Sequence, residues 1–109
     1  MNTWEQHLRI YDELVKQCPN FERKGKTMPY TSANGYMFSL LNKDGELGIR
    51  FSKEKQKAYL EKFDTTIFKS YGAVMRGYIH INDEMLKDEA NIIDLLNESY
   101  HYVMTLEPK

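Results

Sequence analysis

The chain has 109 residues, of which 41% are apolar and 28% charged, and these ordinary globular values exclude a disordered protein. Its apolar runs are only a few residues long, which excludes a membrane-spanning helix, and its amino terminus lacks the basic start and apolar block of a secretion signal. The single cysteine, Cys18, excludes an internal disulfide and a cysteine-rich zinc site. We therefore expect one cytoplasmic domain over residues 1–109.

The net charge of −1 hides an uneven distribution. Residues 21–82 carry eleven Lys and Arg against six Asp and Glu, whereas residues 83–109 carry two against seven. A basic middle can attract a phosphate backbone or an acidic partner, and the acidic tail can balance it within the fold or across a dimer. The alternative is that both regions are solvated faces of surface elements.

The first predicted element is a helix over about residues 3–17. Thr3 and Gln6 form a capping-box pattern, and apolar residues then recur at helical spacing. Cys18 lies on this apolar stripe and is predicted to be a small buried side chain. Pro19 ends the helix because it cannot donate the next helical hydrogen bond.

Three strands are predicted next, because the apolar period changes to two. Asn34-Gly35 and Asp44-Gly45 tolerate the positive φ angles of hairpin turns. Each is followed by an apolar alternation, formed by Tyr36, Phe38 and Leu40 and then by Leu47, Ile49 and Phe51. The predicted strands are 27–32, 36–42 and 46–51. Pro29 favours an edge position for the first strand, and Thr31 and Ser32 are predicted to satisfy turn backbone.

The remaining elements are a helix, two strands and a final helix. Ser52 caps a helix that ends near Phe63, and β-rich segments follow at 65–68 and 73–81. Asn82 or Asp83 caps a short turn of helix, after which a long helix ends before Pro108. The order α-β-β-β-α-β-β-α predicts an α+β two-layer domain: a mainly antiparallel five-stranded sheet with helices packed on one face.

No catalytic motif accompanies this pattern. His7, His80 and His101 lack the i, i+4 spacing of a helical metal site, and the tripeptide GKT at 25–27 lacks the earlier glycine of a phosphate-binding loop. The sequence offers no nucleophile with a recognisable base. We therefore predict no catalytic, cofactor-binding or metal residues, no cofactor, and a protein that is not an enzyme.

Three surface features are the candidates for binding. Two basic clusters are candidate anion sites: Arg23, Lys24 and Lys26 before the first strand, and Lys53, Lys55 and Lys57, with Arg50, near the second helix. A candidate interaction or ligand surface lies along the first hairpin and comprises Pro29, Tyr30, Ser32, Tyr36 and Arg50. The tyrosines Tyr30, Tyr36, Tyr71 and Tyr78 are predicted to lay their rings on the core and their hydroxyls at its rim.

The run KTMPYTSANGYMFSLLNKDGELGIRFSKE resembles the N-terminal domain of the TfoX/Sxy family, whose hairpin reads G-x-M-F-(x)n-G-x-L-x-(L/I)-(K/R) and leads into a helix. The run AVMRGYIHINDEML resembles that family's M-x-Y-x-x-(I/L)-P-(D/E)-E-x-L passage. The likeness spans about residues 5–107. It departs from the family at Pro29-Tyr30, usually Phe-Gly, and at Asn82, usually proline. YjbR/MmcQ-type domains, which have a proposed DNA-binding surface, are a close structural alternative.

The resemblance implies a stand-alone domain without the family's C-terminal helical domain, and a role in competence or transcription regulation, where the family is thought to act with the cyclic-AMP receptor protein. Three functions remain open from the sequence. The first is a non-enzymatic regulatory module that contacts a partner protein or a second copy of itself through a strand edge or sheet face. The second is a nucleic-acid-associated regulator that uses the basic clusters. The third is an enzyme or small-ligand carrier with a pocket beside residues 29–36.

Overall fold

The structure is a computed structural model that describes residues 3–70 and 72–109. Its elements in chain order are α1 (Thr3–Lys16), β1 (Tyr30–Ala33), β2 (Tyr36–Leu41), β3 (Leu47–Arg50), α2 (Lys53–Lys62), β4 (Ile67–Ser70), β5 (Ala73–Ile81), α3 (Asp83–Leu86) and α4 (Glu89–Met104). The Thr3 side chain and Tyr71 lie outside what is described, and so do the capping box and the rim tyrosine predicted there. No helix of the described residues is long and apolar enough to cross a membrane.

The five strands form one antiparallel sheet in the order β1-β2-β3-β5-β4. The helices contribute to a single main core on one sheet face, which confirms the predicted α+β architecture. Apolar side chains at alternate positions of β3 and β5 line the sheet side of this core, as Ile49 and Ile79 show. The ring of Phe38 on β2 also packs in this core. It meets the ring of Phe21 edge-on, with centroids 4.9 Å apart, and its centroid lies 6.2 Å from that of Tyr100 on α4.

Leu40 faces away from this core, contrary to the predicted alternation of Tyr36, Phe38 and Leu40. The pairing of β1 with β2 shifts by one residue between Thr31 and Ser32, so Phe38 has no partner of its own. Such a bulge rotates the residues beyond it to the other side of the strand. Leu40 instead packs with Phe68 and Tyr78 in a second, smaller cluster.

The first strand is shorter than predicted because residues 25–29 form a loop before it. Gly25 has a φ of 81°, and a Cβ there would lie 2.4 Å from the Met28 carbonyl oxygen. This loop allows the Lys24 and Tyr30 backbones to exchange two hydrogen bonds of 2.7 and 2.9 Å. The outer edge of β1 is therefore already paired at Tyr30.

The Asn34-Gly35 turn has the positive φ angles that were predicted, 56° and 84°. Its asparagine also has a second role. The Asn34 Nδ2 group donates to the carbonyl oxygens of Val103 and Leu106, each at 2.9 Å. The first hairpin thus caps the end of α4: it adds a donor to the Val103 carbonyl, which also accepts from the Leu106 N–H at 3.2 Å, and another to the Leu106 carbonyl just beyond the helix.

Thr31 bonds to a buried side chain rather than to the turn backbone. Its hydroxyl pairs with that of Ser39, which in turn lies 2.6 Å from the Tyr11 hydroxyl. Burial raises the pKa of Tyr11 well above its ordinary value, although these hydrogen bonds act in the opposite direction. The three hydroxyls satisfy one another, and they join α1 to the sheet.

Candidate binding groove

A groove of about 560 Å³ opens where β3, α2, β5 and α4 meet. We call it the basic groove. Its polar lining consists of Arg50, Lys53, Gln56, Arg76 and Tyr102, and its apolar lining consists of Phe51, Ile67, Val74 and Gly77.

An irregularity in β5 creates one wall of the basic groove. Ile67 of β4 pairs with Ile79 of β5, and Lys69 of β4 pairs with Val74 of β5. A step of two residues along β4 therefore corresponds to a step of five along β5, so β5 carries extra residues between these two pairs. Gly77 permits this course: its φ is 83°, and a Cβ there would lie 2.9 Å from the Phe51 carbonyl oxygen. The extra residues bring Arg76 to the same groove as Arg50 and Lys53.

The opposite wall is the start of α2. The Ser52 side chain caps this helix by accepting from the Lys55 backbone N–H at 3.2 Å, and Glu54 stands in the first turn, as the sequence predicted. The Gln56 side chain donates to the Tyr78 carbonyl oxygen at 3.0 Å, which ties α2 across β5. Lys53, the first residue of this helix, lines the groove.

The groove is positively charged and partly apolar at its surface. None of Arg50, Lys53 and Arg76 forms an ion pair within the described part of the chain, and no Asp or Glu lines the groove. Ile67 is 45% exposed and Val74 56% exposed, and they are two of the three large apolar side chains that the described residues expose. Cationic groups that lack a carboxylate partner among the described residues, beside exposed aliphatic side chains, suit a ligand that carries both negative charge and apolar surface.

The residues of the predicted hairpin surface are separated in the structure. Pro29 is buried, and its carbonyl accepts from the Leu41 N–H at 2.9 Å. Tyr30 packs on the second cluster, whereas Ser32 lines a small groove with Lys24. Only Tyr36 and Arg50 meet, with the guanidinium carbon 5.5 Å from the ring centroid. The Tyr36 hydroxyl also donates to the Glu107 carbonyl oxygen at 2.6 Å.

The predicted basic clusters occupy different surroundings. Arg23 is committed to the fold, because its Nε and one terminal nitrogen donate to the two carboxylate oxygens of Asp12 at 2.6 and 3.2 Å. This bond raises the pKa of Arg23. Lys26 and Lys57 are exposed, and Lys55 lies over the Tyr59 ring at 5.6 Å. Lys53 alone of the six lysines and arginines predicted as anion sites joins Arg50 in the basic groove.

A larger groove, of about 640 Å³, follows α1 and includes Cys18. Its charges are of both signs, and Arg23 with Asp12 and Lys16 with Glu13 form ion pairs there. Cys18 is buried, as predicted, and burial raises its pKa to about 11. A thiol in this state is a poor nucleophile at neutral pH. Because its charges are of both signs and form these ion pairs, the larger groove offers less unbalanced charge to a ligand than the basic groove does.

The described tyrosines of the strand region lay their rings on the two clusters, as predicted: Tyr36 on the main core, and Tyr30 and Tyr78 on the second cluster. Tyr78 is buried and its hydroxyl donates to the Met37 carbonyl oxygen at 2.8 Å, and burial raises its pKa well above the ordinary value. The Tyr59 hydroxyl donates to Glu98 at 2.6 Å, and burial and that carboxylate raise its pKa to about 12. Neither phenol is poised to exchange a proton near neutral pH.

Arg76 is the cation of the groove that the sequence reasoning missed, and the exposed Ile67 and Val74 were missed with it. The only signal for Arg76 in the sequence was Gly77 inside a strand pattern, which marks a bulge or a close backbone approach.

Within residues 3–70 and 72–109, no group of three His, Cys, Asp or Glu side chains is placed to hold a metal ion. Comparisons of the chain with protein-family models and with curated proteins find no match.

Proposed function

We propose that the chain is a non-enzymatic regulatory module of the TfoX/Sxy N-terminal type that acts by binding a partner protein through the basic groove. The resemblance of residues 26–54 and 73–86 to that family is what supports the family assignment. The observation that carries the binding role is the exposure of Ile67 and Val74 beside three cations that have no ion-pair partner in the described part of the chain.

The choice of the groove rests on a contrast with the strand edge near Pro29. That edge is paired at Tyr30 by Lys24, and Pro29 itself is buried, so little backbone is open to an added strand there. The groove combines a concave shape with apolar side chains at its surface, and both features are typical of sites where proteins bind one another.

A nucleic-acid role is the second candidate, because Arg50, Lys53 and Arg76 converge on one groove. It is the weaker one, since the chain has a net charge of −1 and a pI near 6.3, whereas nucleic-acid-binding domains usually carry a clear positive excess. Binding of a phosphate backbone would also weaken steeply with added salt.

An affinity purification from the native host tests the proposal, with the wild-type chain and a Val74→Ser, Arg76→Glu double variant as parallel baits. Each lysate is divided into nuclease-treated and untreated halves. We expect one protein in stoichiometric amount, recovered with the wild type in both halves and lost with the variant. Recovery that disappears with nuclease supports the second candidate instead, and the absence of any stoichiometric protein contradicts the proposed function.

A further inference from the structure

We propose that the basic groove recognises a short acidic and amphipathic segment of its partner, in which Asp or Glu side chains lie beside aliphatic or aromatic ones. This inference rests on the proposed function and specifies the chemistry of the partner. Its two requirements, negative charge and apolar surface, come from different residues of the groove and are separable by experiment.

The charge requirement comes from three cations supplied by three different elements. Arg50 ends β3, Lys53 begins α2, and Arg76 lies in the irregular part of β5. Because no carboxylate lines the groove, these charges are not neutralised within the described chain. Carboxylates of a partner would supply the missing counter-charges, and a guanidinium can donate two parallel hydrogen bonds to one carboxylate.

Arg50 is the best positioned of the three cations. Its guanidinium carbon lies 5.5 Å from the ring centroid of Tyr36 and 5.8 Å from that of Tyr102. Contact with two aromatic rings restricts the side chain before any ligand arrives, so less conformational entropy is lost on binding. We therefore assign Arg50 the role of main anchor for a partner carboxylate, and Lys53 and Arg76 are the other two cations of the groove.

The apolar requirement comes from Ile67 and Val74. They lie on neighbouring strands, and the pairs Ile67 with Ile79 and Lys69 with Val74 place them at opposite ends of the β5 irregularity. Both are about half exposed, so an apolar partner side chain can remove them from water together. A volume of about 560 Å³ suits a segment of only a few side chains rather than a whole domain face.

These same aliphatic residues distinguish the inference from nucleic-acid binding. Proteins that bind single strands place aromatic rings where bases stack, and they follow the backbone with a continuous positive groove. Here the exposed apolar groups are Ile67 and Val74, and the aromatic groups that line the groove among the described residues are Tyr102, already covered by Arg50, and buried Phe51. A polyanion would satisfy the cations and leave the aliphatic side chains exposed.

Selection of peptides from a random display library on the immobilised chain tests the inference without knowledge of the partner. We expect the enriched peptides to combine at least two Asp or Glu with a neighbouring aliphatic or aromatic residue. The strongest peptide, made synthetically with a fluorophore, should lose about tenfold or more in affinity for Arg76→Glu and for Val74→Ser. Raising the salt concentration should reduce the Arg76→Glu effect and leave the Val74→Ser effect in place.

Two substitutions outside the groove provide matched controls. Lys57→Glu reverses an exposed charge on the same helix as Lys53, and Met104→Ser removes an exposed apolar side chain on α4. Each should change the affinity by less than about twofold. All four substituted side chains are exposed, so circular dichroism and urea midpoints should remain those of the wild type.

Several results would overturn the inference. The inference fails if the enriched peptides are basic or neutral, or if no peptide is enriched. It also fails if the groove variants bind the peptide as tightly as the wild type does, or if an oligodeoxythymidine displaces the peptide at lower concentrations than the unlabelled peptide does. The proposed function is judged separately. A nuclease-resistant partner that is lost with the double-variant bait would support the proposed function even where no acidic peptide is enriched, and only the inference would then fail.

Discussion

Arg50 lies over the ring of Tyr36, with its guanidinium carbon 5.5 Å from the ring centroid. Arg50 ends β3, and Tyr36 begins β2, the neighbouring strand of the same hairpin. The same guanidinium reaches Tyr102 of α4 at 5.8 Å. One arginine therefore connects the sheet, the last helix and the basic groove. The binding surface that we propose is built on side chains that the fold already holds in place.

Replacement of Asn34 by alanine should destabilise the chain by about 2–3 kcal/mol, as measured by urea denaturation. The substitution removes the two 2.9 Å hydrogen bonds to Val103 and Leu106, and it places a Cβ-bearing residue without a polar side chain at a φ of 56°. Asn34→Gly relieves the backbone cost but loses the same hydrogen bonds, so it should cost about 1–2 kcal/mol. Equal stability of the wild type and both variants would show that the hairpin does not cap α4.

Gly48→Ala should cost about 1–3 kcal/mol of unfolding free energy, because a Cβ at this position would lie 2.4 Å from the Phe68 ring. The absence of a side chain at Gly48 thus leaves room for the Phe68 ring on the second face of the sheet.

The same substitution in a Phe68→Leu background is the control. A smaller side chain at position 68 leaves room for the methyl group, so the cost of Gly48→Ala should fall by more than about 0.5 kcal/mol. Identical costs in the two backgrounds would mean that contact with Phe68 does not determine the glycine at position 48.

The stability of the chain should depend on Cys18 at alkaline pH. Burial raises the pKa of its thiol from an ordinary 9.0 to about 11. As the pH rises between these values, the unfolded thiol ionises while the folded thiol keeps its proton, so the folded state loses stability relative to the unfolded one. This contribution is fully present below pH 9 and is lost as the pH passes through about 11.

The comparison of wild type with Cys18→Ala isolates this effect, since all other titrating groups are common to both chains. The stability advantage of the wild type over the variant should shrink across that window in urea titrations at several pH values. An advantage that stays constant from pH 8 to pH 11 would mean that the thiol titrates alike in both states.

The sequence predicted the elements well because their signals are local. Asn34-Gly35 fixes a hairpin turn within two residues, and Ser52 marks the start of α2 by its own side chain. Helix ends and turns depend on groups a few residues apart, which a single sequence displays directly.

The face of Leu40 and the position of Arg76 could not be predicted in the same way. Leu40 is turned to the second cluster by a shift in the pairing of β1 with β2, and Arg76 reaches the basic groove through the irregular register of β5 with β4. Both depend on how two strands align, and one unpaired residue is enough to reverse a face. Of the candidate surface around Pro29, the structure keeps the contact of Arg50 with Tyr36, and it also joins Arg50 to residues of β5 and α4.

The central claim is that a partner protein binds the basic groove, and photo-cross-linking in the native host tests it most directly. p-Benzoylphenylalanine replaces Val74 in one chain and Met104 in another, since both side chains are exposed, at 56% and 47%, and only Val74 lines the groove. We predict one protein adduct from position 74 that resists nuclease, is lost when Arg76→Glu is added, and is absent from position 104. The absence of an adduct at position 74, or the same adducts from both positions, would contradict the claim.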